Sequence, residues 1–304
     1  MSAFAVNETN GTDGTDRTTA DGAGDPPGGP VRGLPWAVLR LHRAALVVWG
    51  AFLLAAVGVL VWEVEITADS VRDRIASCHQ GAASCRFEAV LDYGGNIGWA
   101  STLVYYSFFA VAAFAGGALI GRELENGTAQ LAWTQSVSPT RWLAAKLAVP
   151  AVLLVVGGTV FVLVFRWAWA ANRDLMGDDW TFADVFAARG PALVAYSLCG
   201  LAVGALAGVV LRRSLPALAI SCVAMYLLNH NLEEHREDLW PTVSPAPTKG
   251  VEMSGDVWQL GDGTGRFHPQ AHYWPMHLVE TGIVLGVAAV ATGAAFWVLR
   301  RRTA

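Results

Sequence analysis

Cys78 and Cys85 are separated by an Ala/Gly-rich stretch in RIASCHQGAASCRF, and two thiols so spaced can close a small disulfide ring. With His79 they could instead begin a metal site, but three local ligands and no second CxxC pair fall short of a closed zinc shell. Cys199 and Cys222 lie in apolar runs and read as packing residues. The run from His230 to His235 comes nearest to a zincin pattern, yet it puts Asn231 where HxxEH needs its first histidine, and HExxH is missing. Lys146 and Lys249 are the only lysines and neither lies in GxxxxGK[ST], so this chain has no phosphate-binding loop and is not its own P-loop ATPase. No Ser/His or Cys/His pair has a spacing that reads as nucleophile and base. What remains is polar rather than catalytic. Tyr105, Tyr106, Tyr196 and Asn229 sit inside apolar runs, as do Ser107, Thr159, Ser197 and His230. Intramembrane polar groups face a bundle interior as a rule, so the first four are candidate substrate-path residues, although each alone is explicable as a satisfied packing residue. Glu123 and Glu125 lie in a polar interruption between two such runs.

The elements that must position these residues are membrane helices. The chain is 54% hydrophobic and 15% charged, with 13 Trp, and its mean hydropathy is +0.39. That is too apolar for an ordinary soluble domain. Charge-free runs cover residues 44–62, 93–121, 147–165, 190–211, 214–232 and 281–299. Each has at least 19 residues, enough to cross about 30 Å of hydrocarbon at about 1.5 Å per residue. An all-α membrane protein with six transmembrane helices is expected, with spans near 44–64, 97–121, 146–166, 190–211, 214–232 and 278–299.

Lys and Arg orient the bundle. An even number of spans puts both termini on one side, and segments 32–43, 122–146, 212–213 and 300–304 on that side hold 11 Lys/Arg in 44 residues. The opposite segments, 63–92, 166–189 and 233–280, hold 9 in 102. The positive-inside rule therefore predicts cytoplasmic termini. Acids fall the other way: 18 lie in the opposite loops, and Glu123 and Glu125 are the only ones on the basic side outside the tail.

Residues 1–31, rich in Gly, Thr, Asp and Pro, are expected to form a disordered cytoplasmic tail rather than a signal peptide. The rest, 32–304, is the membrane domain. Its lead-in PWAVLRLHR reads either as an amphipathic interfacial elbow or as basic flanking. In 121–146, Asn126-Gly127 tolerates left-handed backbone, Thr128 can cap a stub of about two turns over 129–135, and Ser138-Pro139 starts the next helix. A stub between two breaks reads as a docking element on the membrane face. Gly117 and Gly121, and the stripe Gly200, Gly204 and Gly208, allow close helix approach, within the chain or across a dimer. Glu280, at the mouth of the sixth span, is expected to act structurally at a helix N-terminal turn, and no span is expected to carry an interior Asp, Glu, Lys or Arg. The net charge of −4 gives no nucleic-acid signal.

The stretch RELENGTAQLAWTQSVSPTRW to Lys146 resembles the cytoplasmic signature of bacterial ABC-2 type transporter permeases. The Trp36 to Arg43 lead-in, Leu211-Arg-Arg-Ser-Leu-Pro-Ala217, and Tyr273-Trp-Pro with Glu280-Thr-Gly282 extend the resemblance over all six spans. It implies a type V exporter-like bundle in the bacterial cell membrane, with both termini cytoplasmic and a short coupling helix between helices two and three. It also implies a homodimer or a pairing with a related permease, and a separate ABC ATP-binding subunit that holds ATP and Mg, with no cofactor in this chain. Coupling is expected at Arg122, Glu123, Glu125, Gly127, Thr128, Gln135 and Arg141, the two glutamates holding basic partners at or near the contact. The cargo is expected to be hydrophobic or amphipathic: a drug, a lipid or a peptide antibiotic. Two other classes compete: a membrane sensor or immunity protein that binds an antimicrobial without moving it, and an ion-driven transporter, which lacks an obvious charged relay.

Overall fold

Inside a bilayer a backbone amide has no water to bond, so an apolar run closes its own hydrogen bonds as a helix. In the computed structural model, which describes residues 39–78, 83–135, 137–176, 180–244, 257–260 and 266–303, six helices are long and apolar enough to cross a membrane. They are Arg43–Ser77, Ser84–Glu125, Pro139–Ala171, Ala192–Leu211, Ser214–Glu234 and Gln270–Thr303. The tail 1–31, Trp36, His79 and Lys249 lie outside the described residues.

The first, second, third and sixth helices overrun the charge-free runs. After α1 (Arg43–Trp62) the first winds through a π segment, Glu63–Thr67, into α2 (Ala68–Ser77). The added turns carry charges that bond one another: Arg72 meets Asp69 at 3.2 Å and Asp174, beyond the third span, at 3.3 Å. A charge ends a hydrocarbon-compatible run without ending a helix, since side chains past the core reach water or a partner. Cys78 and Cys85 are joined by a disulfide between α2 and α3 (Ala83–Ala113), with Cα atoms 6.1 Å apart.

The second span continues from α3 through a π segment, Phe114–Gly121, to α4 (Arg122–Glu125). A stub, α5 (Thr128–Thr134), precedes the third span, α6 (Pro139–Ala171), whose first turn has Ser138 as cap and Pro139 in the first position. The fourth span, α8 (Ala192–Leu211), follows the short α7 (Ala183–Ala188) and is the most enclosed of the six. Its glycine stripe packs within the chain: a Cβ on Gly200 would stand 2.7 Å from the Phe108 carbonyl oxygen, one on Gly204 2.8 Å from Ala115 Cβ, and one on Gly208 2.9 Å from Ile120 Cβ. This settles the choice between an internal contact and a dimer contact for the stripe. Gly121 likewise lies against the backbone of Arg213 and Ser214.

Arg212, at φ 53°, and Arg213 turn the chain into α9 (Ser214–Glu234). Arg302, near the end of α10 (Tyr273–Thr303), donates to the carbonyls of Val209 and Val210 at 3.0 and 2.8 Å, capping the fourth span. At the opposite end, β1 (Val257–Gln259) pairs antiparallel with β2 (Phe267–Pro269), with Trp258 opposite His268. Trp258 meets Trp180 edge-on at 5.7 Å, over an aromatic cap that Phe186 and Tyr273 complete.

Candidate functional site

Two groups of polar residues stand at opposite ends of the bundle. The first is the elbow. Gly127 takes the left-handed backbone, φ 73°, and is itself the cap of α5. Thr128, expected to be that cap, is instead the first helical residue, and its hydroxyl donates to the Glu123 carbonyl at 3.2 Å. The glycine already makes the turn, which leaves the threonine side chain free to bond backward.

Glu123 faces inward. Its carboxylate pairs with the buried Lys146 and accepts from the Trp142 indole at 3.2 Å, while Lys146 reaches His42 at 3.3 Å. Trp133 of the stub meets Trp142 edge-on at 5.8 Å. One carboxylate thus ties the end of the second span to the start of the third and to the residue before the first. Burial and the neighbouring Lys146 push the His42 imidazole down from its ordinary value, with Glu123 partly opposing them. Glu125, two residues on, points about 200° away around the helix. It accepts from the Ser214 amide at 2.9 Å and the Ser214 hydroxyl at 2.6 Å, at the start of the fifth span. Glu123 thus meets Lys146 within the chain, and Glu125 lies at a helix N-terminus, where unpaired amides favour an acid. The face left open carries Arg122, Gln130, Leu131, Thr134, Gln135 and Arg141, with Leu131 65% exposed. Ala129 is buried beneath it.

The second group gathers all four candidate path residues. Tyr105 donates to Asn229 Oδ1 at 2.5 Å, and the hydroxyls of Tyr105 and Tyr106 each lie 3.3 Å from Glu233 Oε1. Tyr196 stands edge-on to Tyr105, with centroids 5.5 Å apart, and donates to Glu280 Oε1 at 2.8 Å. Glu280 accepts two bonds from Arg236, Nε at 2.8 Å and Nη2 at 3.0 Å. Both of these side chains are buried, so the expectations of a rim glutamate and of spans without interior charge are corrected. The sixth helix starts early enough to carry Glu280 two turns in, and Arg236 folds over Phe186 with its guanidinium 4.4 Å from the ring centre to meet it. A fork-to-fork pair satisfies both charges at once. His277 lies one turn away and accepts the Ala192 amide at 3.0 Å, its ring filling the space that a Cβ on Gly190 would take.

Between the two groups the first, second and third spans, with Leu201 of the fourth, line a cavity of about 590 Å³. Trp49, Phe52, Phe114 and Leu154 line it, and Thr102 and Tyr106 join it to the polar group. Among the described residues no cluster of His, Cys, Asp and Glu is arranged to hold a metal.

Six helices long and apolar enough to cross a membrane, joined by interior polar contacts, define a multi-pass α-helical membrane protein. A family model described as ABC-2 membrane transporter related matches residues 49–234, and the chain belongs to that family. The matched stretch takes in the elbow and ends at the close of the fifth span. Membership marks the chain as a permease subunit of an ABC transporter, typically the non-enzymatic membrane part, and implies pairing with an ATP-binding subunit. No curated protein and no solved structure matches the chain.

Proposed function

We propose that the chain is the permease of an exporter of hydrophobic or amphipathic cargo in a bacterial cell membrane, driven by ATP and Mg held in a partner subunit. The observation that carries this reading is the elbow. Its stub buries Ala129, exposes Leu131, and is held by Glu123 and Glu125 to the first, third and fifth spans. A push on such a stub moves several helices as one body. The open face from Arg122 to Arg141 is the docking surface, with Leu131 as its apolar anchor and Gln135 and Arg141 as its polar rim; Glu123, Glu125, Gly127 and Thr128 set its shape. The density of Lys and Arg at this end supports cytoplasmic termini. The family resemblance supports assembly as a dimer, and Tyr105, Tyr106, Tyr196 and Asn229 serve as the polar wall of the cargo path.

Affinity purification of the tagged chain from its host's membranes in mild detergent tests this. A protein bearing GxxxxGK[ST] is expected to come with the chain and to be lost with Leu131→Asp. Purification of an intact chain with no nucleotide-binding protein would instead favour the sensor or immunity reading, in which the far-end loops bind an antimicrobial without moving it.

A further inference from the structure

The cavity between the first three spans has walls that are almost wholly apolar, and four aromatic rings, Trp49, Phe52, Tyr106 and Phe114, face it. Val48 and Leu103, which also line it, are 69% and 56% exposed, so it opens on the flank of the bundle. Its polar rim is acidic. Thr102 donates to Asp184 Oδ2 at 2.9 Å, beside Ser101 at 2.6 Å, and Tyr106 lies 3.3 Å from Glu233 Oε1. Among the described residues neither carboxylate has an ion-pair partner, and Oδ1 of Asp184 and Oε2 of Glu233 accept no hydrogen bond. The nearby Arg236 is neutralised by Glu280. Two negative charges at the edge of an aromatic, apolar chamber are complementary to one kind of occupant.

We infer that this cavity binds a lipophilic cation, its apolar body among Trp49, Phe52, Phe114 and Leu154 and its positive centre at Tyr106 between Glu233 and Asp184. The inference rests on the permease reading in that it names the class of cargo. The ring faces add attraction for the cation, and desolvation strengthens its pairing with the acids. A cavity of this size holds a molecule of several rings.

The test is equilibrium binding of radiolabelled tetraphenylphosphonium to the full chain in lipid nanodiscs, against neutral triphenylphosphine oxide as competitor. Tight binding of the cation is expected, weakened about tenfold by Glu233→Gln and kept by the charge-preserving Glu233→Asp. Ala110→Trp, which fills the cavity from its wall, is expected to remove it. Competition by the neutral compound at equal concentration would mean that the chamber takes an uncharged lipid-like molecule, and the inference would fall. It also falls if Glu233→Gln and Ala110→Trp both leave binding unchanged, or if dimeric chain binds no cation because a second copy covers the flank. Copurification of the ATP-binding subunit is scored on the same membranes. Cation binding without that subunit overturns the permease reading alone, and the subunit without cation binding overturns the cavity inference alone.

Discussion

Arg236 and Glu280 are 44 residues apart in sequence and share two hydrogen bonds, 2.8 and 3.0 Å, with both side chains buried. Their pairing holds the turn after the fifth span against the sixth. Removing one partner strands a buried charge, which costs about 3–5 kcal/mol, whereas replacing both with apolar residues of similar size is close to neutral. Glu280→Gln and Arg236→Met are each expected to lower the thermal midpoint in detergent strongly, and Arg236→Met with Glu280→Leu to restore most of it. Additive losses in the double variant would show that the two side chains act separately.

At the elbow, stability and docking separate by residue. Lys146→Met leaves Glu123 without its buried partner and is expected to destabilise the chain by about 3 kcal/mol. Leu131→Asp touches a side chain that is 65% exposed, and its expected cost to the fold is within about 0.5 kcal/mol. The same change is expected to weaken association with the ATP-binding subunit at least about tenfold, because a central apolar anchor carries a large share of an interface. Titration of the subunit onto wild type and both variants, with melting curves alongside, checks the division. A Leu131→Asp variant that binds normally removes the docking face.

How much of this was legible beforehand depends on distance along the chain. The six spans follow from runs without charge, and the elbow from Asn126-Gly127 and Ser138-Pro139, because helix caps are decided by neighbours in sequence. Helix overrun past the first charges was not legible, since Arg72 finds Asp174 more than a hundred residues later. The Arg236–Glu280 pair was hidden for the same reason: Arg236 sits in an acidic loop that reads as solvated, and Glu280 is excused by its place near a helix start. The four polar span residues were visible one by one, but their convergence needed the packing of the second, fourth and fifth helices.

Close approach of the second and fourth spans depends on the glycine stripe. The Cβ of Gly204→Ala would press on Ala115 and on the backbone of Ala112 and Gly116, none of which is a flexible side-chain tip. Overpacking of this kind costs about 1–3 kcal/mol. Gly282→Ala, where nothing lies within 4 Å of the new methyl, is the matched control and is expected to melt with wild type. Equal midpoints for the two variants would contradict the packing of these spans.

The disulfide closes a short ring, with Cys78 and Cys85 seven positions apart. A loop of that size restricts the unfolded chain by only about 2.5 kcal/mol in the entropy model, and the bond joins two helix ends that the bundle already holds. Cys78→Ser with Cys85→Ser is therefore expected to lower the midpoint modestly and to leave association with the ATP-binding subunit unchanged. Thermal melts with and without reductant give the same comparison on the native sequence. A collapse of the fold on reduction would mean that the ring organises the far end rather than fastening it.

His42 gives the elbow a pH dependence whose sign can be worked out. Burial first, and then Lys146, lower the imidazole below its ordinary value of 6.5, although Glu123 opposes them. The folded chain therefore holds the proton less readily than the unfolded one, so this residue's stabilising contribution is present above pH 6.5 and is lost as pH falls through the lowered value. Protonation would set an imidazolium 3.3 Å from the Lys146 ammonium and compete with it for Glu123. Acidification from neutral to about pH 5.5 is expected to lower the thermal midpoint of wild type more than that of His42→Gln, which keeps an amide in reach of Lys146 and cannot titrate. Parallel melting curves for the two proteins across that window would remove His42 from the elbow's electrostatics and leave the Glu123–Lys146 pair to hold the second and third spans without it.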